Sequence, residues 1–330
     1  MRPRRTSTMV RWAAPFLAAA TVFVTAASGN AVPRTAPTNV DVSVRHGDEA
    51  EDAIAINPTD PHNIVAMSTL TQAKAGLAEG VSFDGGATWT RRVIGTGTPL
   101  GRICCDEQLA WDRFGNLWMT YLLNVGPDTM VAVSTDGGLS FTLVAKIPPT
   151  TPTGSRSPKG AQPKRSRLGG NHYADQPSIS VGEKSVWVSY TSFPSTVIQA
   201  FGALVTGLGR FGKFTAPESV PTSAGRGDYG DTAVGPAGQV VAIYQDHTSG
   251  QGGSRIYTAI DPDGLGPAGF SDPRLLASSR VGGFDYIPAQ PDRSVDAEAN
   301  LAWDRSGGPH DGRLYAVWTQ EVKNESDNTD

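Results

Sequence analysis

From about residue 48 the chain repeats one phrase. An acidic or polar cluster leads into a short apolar run, a Gly/Asn/Asp/Pro turn follows, and then comes a second, more continuously apolar run. Five versions align. Glu51–Ile56 turns through Asn57–Pro61 into Ile64–Ser68, and Asp106–Trp111 through Asp112–Asn116 into Leu117–Tyr121. Asp175–Val181 turns through Gly182–Lys184 into Val186–Tyr190, and Asp231–Val234 through Gly235–Gly238 into Val240–Tyr244. Asp296–Trp303 passes Asp304–Gly307 and a longer insert before Leu314–Thr319. Runs of this length, bounded by turn residues, predict paired β-strands. The second run of each pair lacks strict alternation, as expected for a strand covered on both faces.

Versions two and five share Leu-Ala-Trp-Asp-Arg, at Leu109–Arg113 and Leu301–Arg305. The spacing of very roughly 50 to 70 residues between versions suits four-stranded units with loop insertions, longer than most solenoid repeats. The predicted fold is therefore all-β, a β-propeller of four-stranded blades. About four and a half blades are expected between residues 48 and 330, with blade five broken off at Asp330. A chain carrying only these blades is expected to leave an open sheet edge.

Composition agrees: 38 glycines, 24 prolines and 18% charged residues suit many short strands joined by turns. No long helical periodicity is seen after residue 40. Residues 1–31 read as a secretory signal peptide: Arg2, Arg4, Arg5 and Arg11 precede an apolar run over Trp12–Ala27 that ends in small residues. An uncleaved membrane anchor is the alternative for this segment, and no later stretch is apolar enough to span a bilayer. Residues 32–47 are expected to be a linker or a ring-closing strand. Without the leader arginines, 24 basic residues face 32 acids, so nucleic acid is not an expected partner. Residues 150–170 are poor in apolar groups and read as a mobile loop; a lid bringing Arg156, Lys159, Lys164, Arg165 and Arg167 over an anionic ligand is the alternative. The only cysteines, Cys104 and Cys105, are adjacent and either close a vicinal disulfide or stay reduced and buried. Neither they nor the scattered histidines have ligand spacing, so no metal or cofactor is expected.

Two segments stand out: Ser82-Phe83-Asp84-Gly85-Gly86-Ala87-Thr88-Trp89 and Ser134-Thr135-Asp136-Gly137-Gly138-Leu139-Ser140-Phe141. Each places Ser, Asp, Gly, Ser/Thr and an aromatic at the same offsets: Ser82, Asp84, Gly86, Thr88 and Trp89, then Ser134, Asp136, Gly138, Ser140 and Phe141. The aspartate is expected to accept backbone N–H bonds in a hairpin turn while the glycines take positive φ. Degenerate versions fall at Gly207–Phe214 and Asp261–Phe270. The pattern resembles the Asp-box, and the chain resembles secreted Asp-box (BNR) repeat propellers of the sialidase superfamily. That resemblance implies six blades when complete and a glycoside hydrolase of the exo-sialidase kind, in which a tyrosine nucleophile works with a carboxylate and a separate aspartate is acid/base. It also implies three arginines for the sugar carboxylate, the first in an Arg-Ile-Pro motif that is absent here.

Carboxylates crowd the starts of the first strands, where a propeller's inner strands open at one mouth of its channel. The candidate catalytic residues are Asp106, Asp175, Asp228, Tyr229 and Glu298, because converging acids shift one another's pKa values and can form an acid/base pair. Arg102, Arg226 and Arg293 lie just before blade starts and are the candidate substrate-binding cations. Each acid can equally cap its own strand entry. The expected partner is an extracellular glycan or cell-surface polysaccharide, cleaved by an enzyme or held by a non-catalytic propeller.

Overall fold

A computed structural model describes residues 39–150, 172–246, 252–283, 285–287 and 290–321, with the backbone alone for 287 and 290–294. The expected signal peptide and the 150–170 loop, apart from Thr150, lie outside these residues. Among the described residues there are strands and turns but no helix, so no helix is long and apolar enough to cross a membrane.

Blade one is an antiparallel sheet of β1 (Glu49–Ile56), β2 (Ile64–Leu70), β3 (Leu77–Ser82) and β4 (Thr90–Ile94), in that order. Blade two is β5 (Thr96–Gly97), β6 (Gly101–Trp111), β7 (Leu117–Leu123), β8 (Thr129–Ser134) and β9 (Thr142–Ile147). Blade three is β10 (Tyr173–Val181), β11 (Ser185–Phe193), β12 (Val197–Gly207) and β13 (Arg210–Phe211), with β14 (Glu218–Ser219) beside β12. Blade four is β15 (Asp228–Val234), β16 (Val240–Gln245), β17 (Ser254–Asp261) and β18 (Arg274–Ser279). A hairpin of β19 (Asp285–Ile287) and β20 (Gln290–Val295) precedes the blade-five pair, β21 (Asn300–Trp303) and β22 (Leu314–Val317). All five predicted strand pairs form. The inner strands β1, β6, β10, β15 and β21 lie successively against one another, giving a β-propeller.

The hydrophobic core lies between blades. On β7, Leu117, Met119 and Tyr121 pack with Val65, Met67 and Val81 of blade one, whereas Trp118 and Leu122 pack with Val188, Phe201 and Phe214 of blade three. Both faces of that strand are buried, which is why its sequence is continuously apolar. Trp118 meets Phe211 and Phe214 edge-on, at 5.1 and 6.3 Å between centroids. The repeated tryptophans staple inner strands: Trp111 Nε1 donates to the Ala55 carbonyl at 3.3 Å and Trp303 Nε1 to that of Ala233 at 3.4 Å. Buried asparagines in the turns after β1 and β6 tie each blade to the third strand or turn of the next. Asn63 donates to the Ser82 and Gly137 carbonyls, and Asn116 donates to the Gly207 carbonyl while accepting from the Gly209 N–H. Ile54 and Ile56 of β1 are 66% and 57% exposed, with no blade against them among the described residues.

The two Ser-x-Asp-Gly-Gly segments form the β3–β4 and β8–β9 turns with matching networks. Ser82 Oγ donates to Asp84 and accepts from the Gly86 N–H, while Thr88 donates to Asp84 through its N–H (2.8 Å) and its hydroxyl (2.6 Å). Ser134, Asp136, Gly138 and Ser140 repeat each bond. In blade four the work is redistributed: buried Asp261 replaces the serine, accepting from the Gly264 N–H at 3.1 Å, and Asp263 accepts from the Ala268 N–H, also at 3.1 Å. Residues 41–45 form no strand; Arg91 of β4 holds the Val42 carbonyl through Nε at 2.6 Å.

Candidate active site at the channel mouth

Four of the five inner strands, β1, β6, β10 and β15, are interrupted by a slip in pairing. Pairing slips between Ala50 and Ala53, Cys105 and Gln108, Asp175 and Ser178, and Asp228 and Asp231. Inside each slip one non-glycine residue has positive φ: Glu51 at 59°, Asp106 at 56°, Gln176 at 50° and Tyr229 at 47°; Glu298, just before β21, has 22°. Such bulges leave a residue out of the ladder and re-aim its neighbours. The left-handed backbone costs of order 1–3 kcal/mol per residue and persists only where its surroundings hold it. Here the holding groups are polar side chains. Glu51 accepts the Asp106 N–H at 2.9 Å, Asp106 accepts the Gln176 N–H at 3.2 Å, Asp228 accepts the Tyr229 N–H at 3.1 Å, and Gln245 accepts the Glu298 N–H at 2.9 Å.

These bulges bring Glu51, Asp106 and Asp175 together, and Asp228 lies within electrostatic reach of Asp175 and Glu298. Asp106 and Asp175 both accept the Gln176 N–H, each at 3.2 Å, so their carboxyls lie side by side, close enough for one proton to bridge them. Burial, then the charges of Glu51 and Asp175, push Asp106 up to about 8; burial also raises Asp175. Asp228 is pushed up to about 7, chiefly by burial, with the Thr191 hydroxyl and the Tyr229 N–H acting the other way. Glu107 is wholly buried beneath this cluster and pushed up to about 8 by that burial, although the Thr69 hydroxyl donates to it at 2.7 Å.

Other candidates occupy different positions. Tyr229 is buried, its hydroxyl donates to the Gly283 carbonyl at 3.3 Å, and burial with Asp228 and its neighbours drives its pKa upward. The candidate cations Arg102 and Arg226 are each tied to nearby groups. Arg102 donates to the Lys74 carbonyl at 3.1 Å; Arg226 donates to the Thr222 carbonyl at 3.0 Å and lies over the Tyr257 ring at 5.0 Å. Each is anchored within its own neighbourhood, because a flexible side chain follows local carbonyls and rings more than its place before a strand. Arg293 is on β20, and its side chain lies outside the described residues. Cys104 and Cys105 are joined in a disulfide immediately before Asp106. One sulfur or oxygen each of Glu51, Cys105 and Asp106 lie within 4.8 Å of one another, but this sulfur is already bonded to its neighbour.

Below the bulges the inner strands line an open polar channel with Gln108, Ser178, Asp231, Asn300 and Arg305. Asp231 is structural there, accepting from the Ser178 hydroxyl, the Thr232 N–H and the Leu301 N–H.

No family model and no curated protein matches the sequence. Solved structures share the fold. A Penicillium chrysogenum α-L-arabinanase complexed with arabinobiose is 15% identical over 82% of this chain and 74% of its own, with a TM-score of 0.50. The GH93 α-L-arabinofuranosidase of Fusarium graminearum with arabinobiose is 12% identical over 84% and 76%, also at 0.50. A Dyadobacter fermentans protein of unknown function is 12% identical over 86% and 75%, again at 0.50. At this identity the likeness establishes the fold.

Thr69, Thr191 and Gln245, which serve the mouth from behind, were not among the sequence candidates. Their signal is a polar residue near the end of an otherwise apolar second strand, facing the bulge of the first.

Proposed function

We propose that the chain is a secreted glycoside hydrolase whose active site is the acidic channel mouth, and that its substrate is a neutral glycan. The observation that carries this is the Asp106–Asp175 pair, set side by side on the Gln176 N–H by bulges on neighbouring blades, where burial and mutual charge raise both carboxyls. A carboxyl kept protonated near neutrality is what a general acid needs to protonate a leaving glycosidic oxygen. Asp228 and Glu298 supply negative charge for an oxocarbenium-like transition state and a base for the attacking water. Tyr229 is assigned a positioning role, since its hydroxyl is committed to Gly283 and its surroundings oppose a phenolate.

The same charge argues against a sialoside. A carboxylate sugar would meet a cluster of acids, while Arg102 and Arg226 are each engaged with a nearby carbonyl. The arabinobiose bound by the Penicillium and Fusarium proteins makes arabino-oligosaccharides the first substrates to try. We read the two matching turns as Asp-boxes of structural function, and the disulfide as suited to an oxidising, extracellular setting. The test is hydrolysis of an aryl glycoside panel that includes α-arabinofuranosides and a sialoside, by the parent and by Asp106→Asn and Asp175→Asn. Loss of about 10²-fold or more in either variant is expected. A folded parent that cleaves nothing rejects the enzyme reading.

A second reading is favoured by the backbone bonds to Glu51 and Asp106, which give these acids a structural task. The propeller would then bind a polysaccharide without cleaving it, and a glycan array with no hits would count against that form.

A further inference from the structure

Tyr173 opens β10 at the mouth, two residues before Asp175. It is 43% exposed, although its ring is held parallel to that of Phe193, with centroids 5.0 Å apart and planes 8° from each other. The two aromatics are directly opposed partners in the β10–β11 ladder, and no slip separates Tyr173 from Asp175. Alternate residues share a face of a strand, so Tyr173 and Asp175 point the same way while Ala174 is buried on the other side. Their separation along the strand, about 6.5–7 Å, is close to the length of one sugar unit. Both Asp175 and Asp228 lie near enough to act on the Tyr173 phenol electrostatically.

An isolated exposed tyrosine needs no explanation. This one is different in being fixed. Phe193 covers one face of the ring and the strand register sets its orientation, so little freedom remains to be lost on binding. A flat aromatic face beside hydrogen-bonding carboxylates matches a sugar ring, which offers a C–H-rich face and a rim of hydroxyls. We propose that Tyr173, backed by Phe193, is a stacking platform for the sugar unit next to the one held at Asp106 and Asp175. On this assignment the ligand is an oligosaccharide of at least two units, engaged at the upper end of β10. The inference rests on the glycan reading above, but does not require hydrolysis.

The test is calorimetric titration of the full chain carrying Asp175→Asn, which prevents turnover, with α-arabino-, β-xylo- and β-galacto-oligosaccharides of one to four units. Adding Tyr173→Ala is expected to weaken the best oligosaccharide about 10-fold while leaving the monosaccharide unchanged; Tyr173→Trp and Tyr173→Phe should stay within about 2-fold. The ring's contribution then corresponds to roughly 1.4 kcal/mol. Equal oligosaccharide affinity with and without Tyr173→Ala overturns the platform, as does a chain that binds no member of the panel. If the parent cleaves nothing but Tyr173→Ala still weakens binding, hydrolysis is rejected and the platform stands. If the parent cleaves oligosaccharides and Tyr173→Ala changes neither affinity nor KM, the platform alone is rejected.

Discussion

Asn116 offers the sharpest test of how the blades are joined. Its side chain is wholly buried, donating to Asp112 Oδ2 at 2.7 Å and to the Gly207 carbonyl at 3.1 Å, and accepting from the Gly209 N–H at 2.7 Å. Asn116→Ala removes all three and strands two backbone groups of blade three away from water. A charge-assisted bond is worth about 1.5–3 kcal/mol net, a neutral one about 1, and buried groups left unpaired add to the loss. Trp118 still satisfies Asp112, at 2.8 Å, which limits the damage. The expected cost is about 3–4 kcal/mol, or a fall of roughly 5–6 °C in thermal midpoint for a chain of this size. Urea unfolding followed by tryptophan fluorescence measures it. Asn116→Asp keeps the shape but sets a carboxylate against Asp112, so it should cost more than the alanine at pH 7 and recover towards pH 4. A change below about 1 kcal/mol in Asn116→Ala, or an aspartate variant no worse than the alanine, would refute this account of inter-blade bonding.

The mouth predicts an unusual pH profile. Asp106 and Glu107 near 8 and Asp228 near 7 lie above the ordinary carboxyl range of about 4, so the folded state holds these protons more tightly than the unfolded one. Their contribution to stability is complete below about pH 4 and is lost as pH rises through about 7–8; thermal midpoints should fall over that window, and Asp106→Asn with Glu107→Gln should flatten the curve. Asp84 behaves oppositely. Bonds from Thr88 and Ser82 hold it down to about 2, so Asp84→Ala should lower the midpoint at pH 7 and progressively less towards pH 2, with specific activity of the folded fraction unchanged. For the disulfide, alkylation of unfolded but unreduced protein should label no cysteine and reduction should expose two by mass; labelling without reduction contradicts the bond at Cys104–Cys105.

The repeated strand pairs could be read in the sequence because burial on both faces leaves an uninterrupted apolar run, as in Leu117–Tyr121 and Val240–Tyr244. The turn networks at Asp84 and Asp136 were also legible, being local, with every bond falling within four residues. The mouth was half legible. Acids at strand starts marked it, but nothing in Asp106 or Gln176 announces a left-handed backbone, because acceptors distant in sequence, Glu51 and Asp106, stabilise it. The contacts of the arginines were illegible for a related reason: proximity along the chain says where Cα sits, whereas Arg226 extends to the Tyr257 ring and the Thr222 carbonyl. Thr69 and Gln245 were hidden because their importance comes from bridging separate strands.

The bulge in β10 divides one strand into two independently addressed halves. Above it Tyr173 and Asp175, odd-numbered, share the mouth; below it Ser178 and Ser180, even-numbered, reach across to Asp231 and Thr232, while Pro177 and Ile179 turn inward. The extra residue reverses the parity of the strand, so the upper half can change its chemistry without shifting any side chain of the lower half off the core. Repeated around the channel, this makes the mouth a set of replaceable positions mounted on a frame that does not register the exchange.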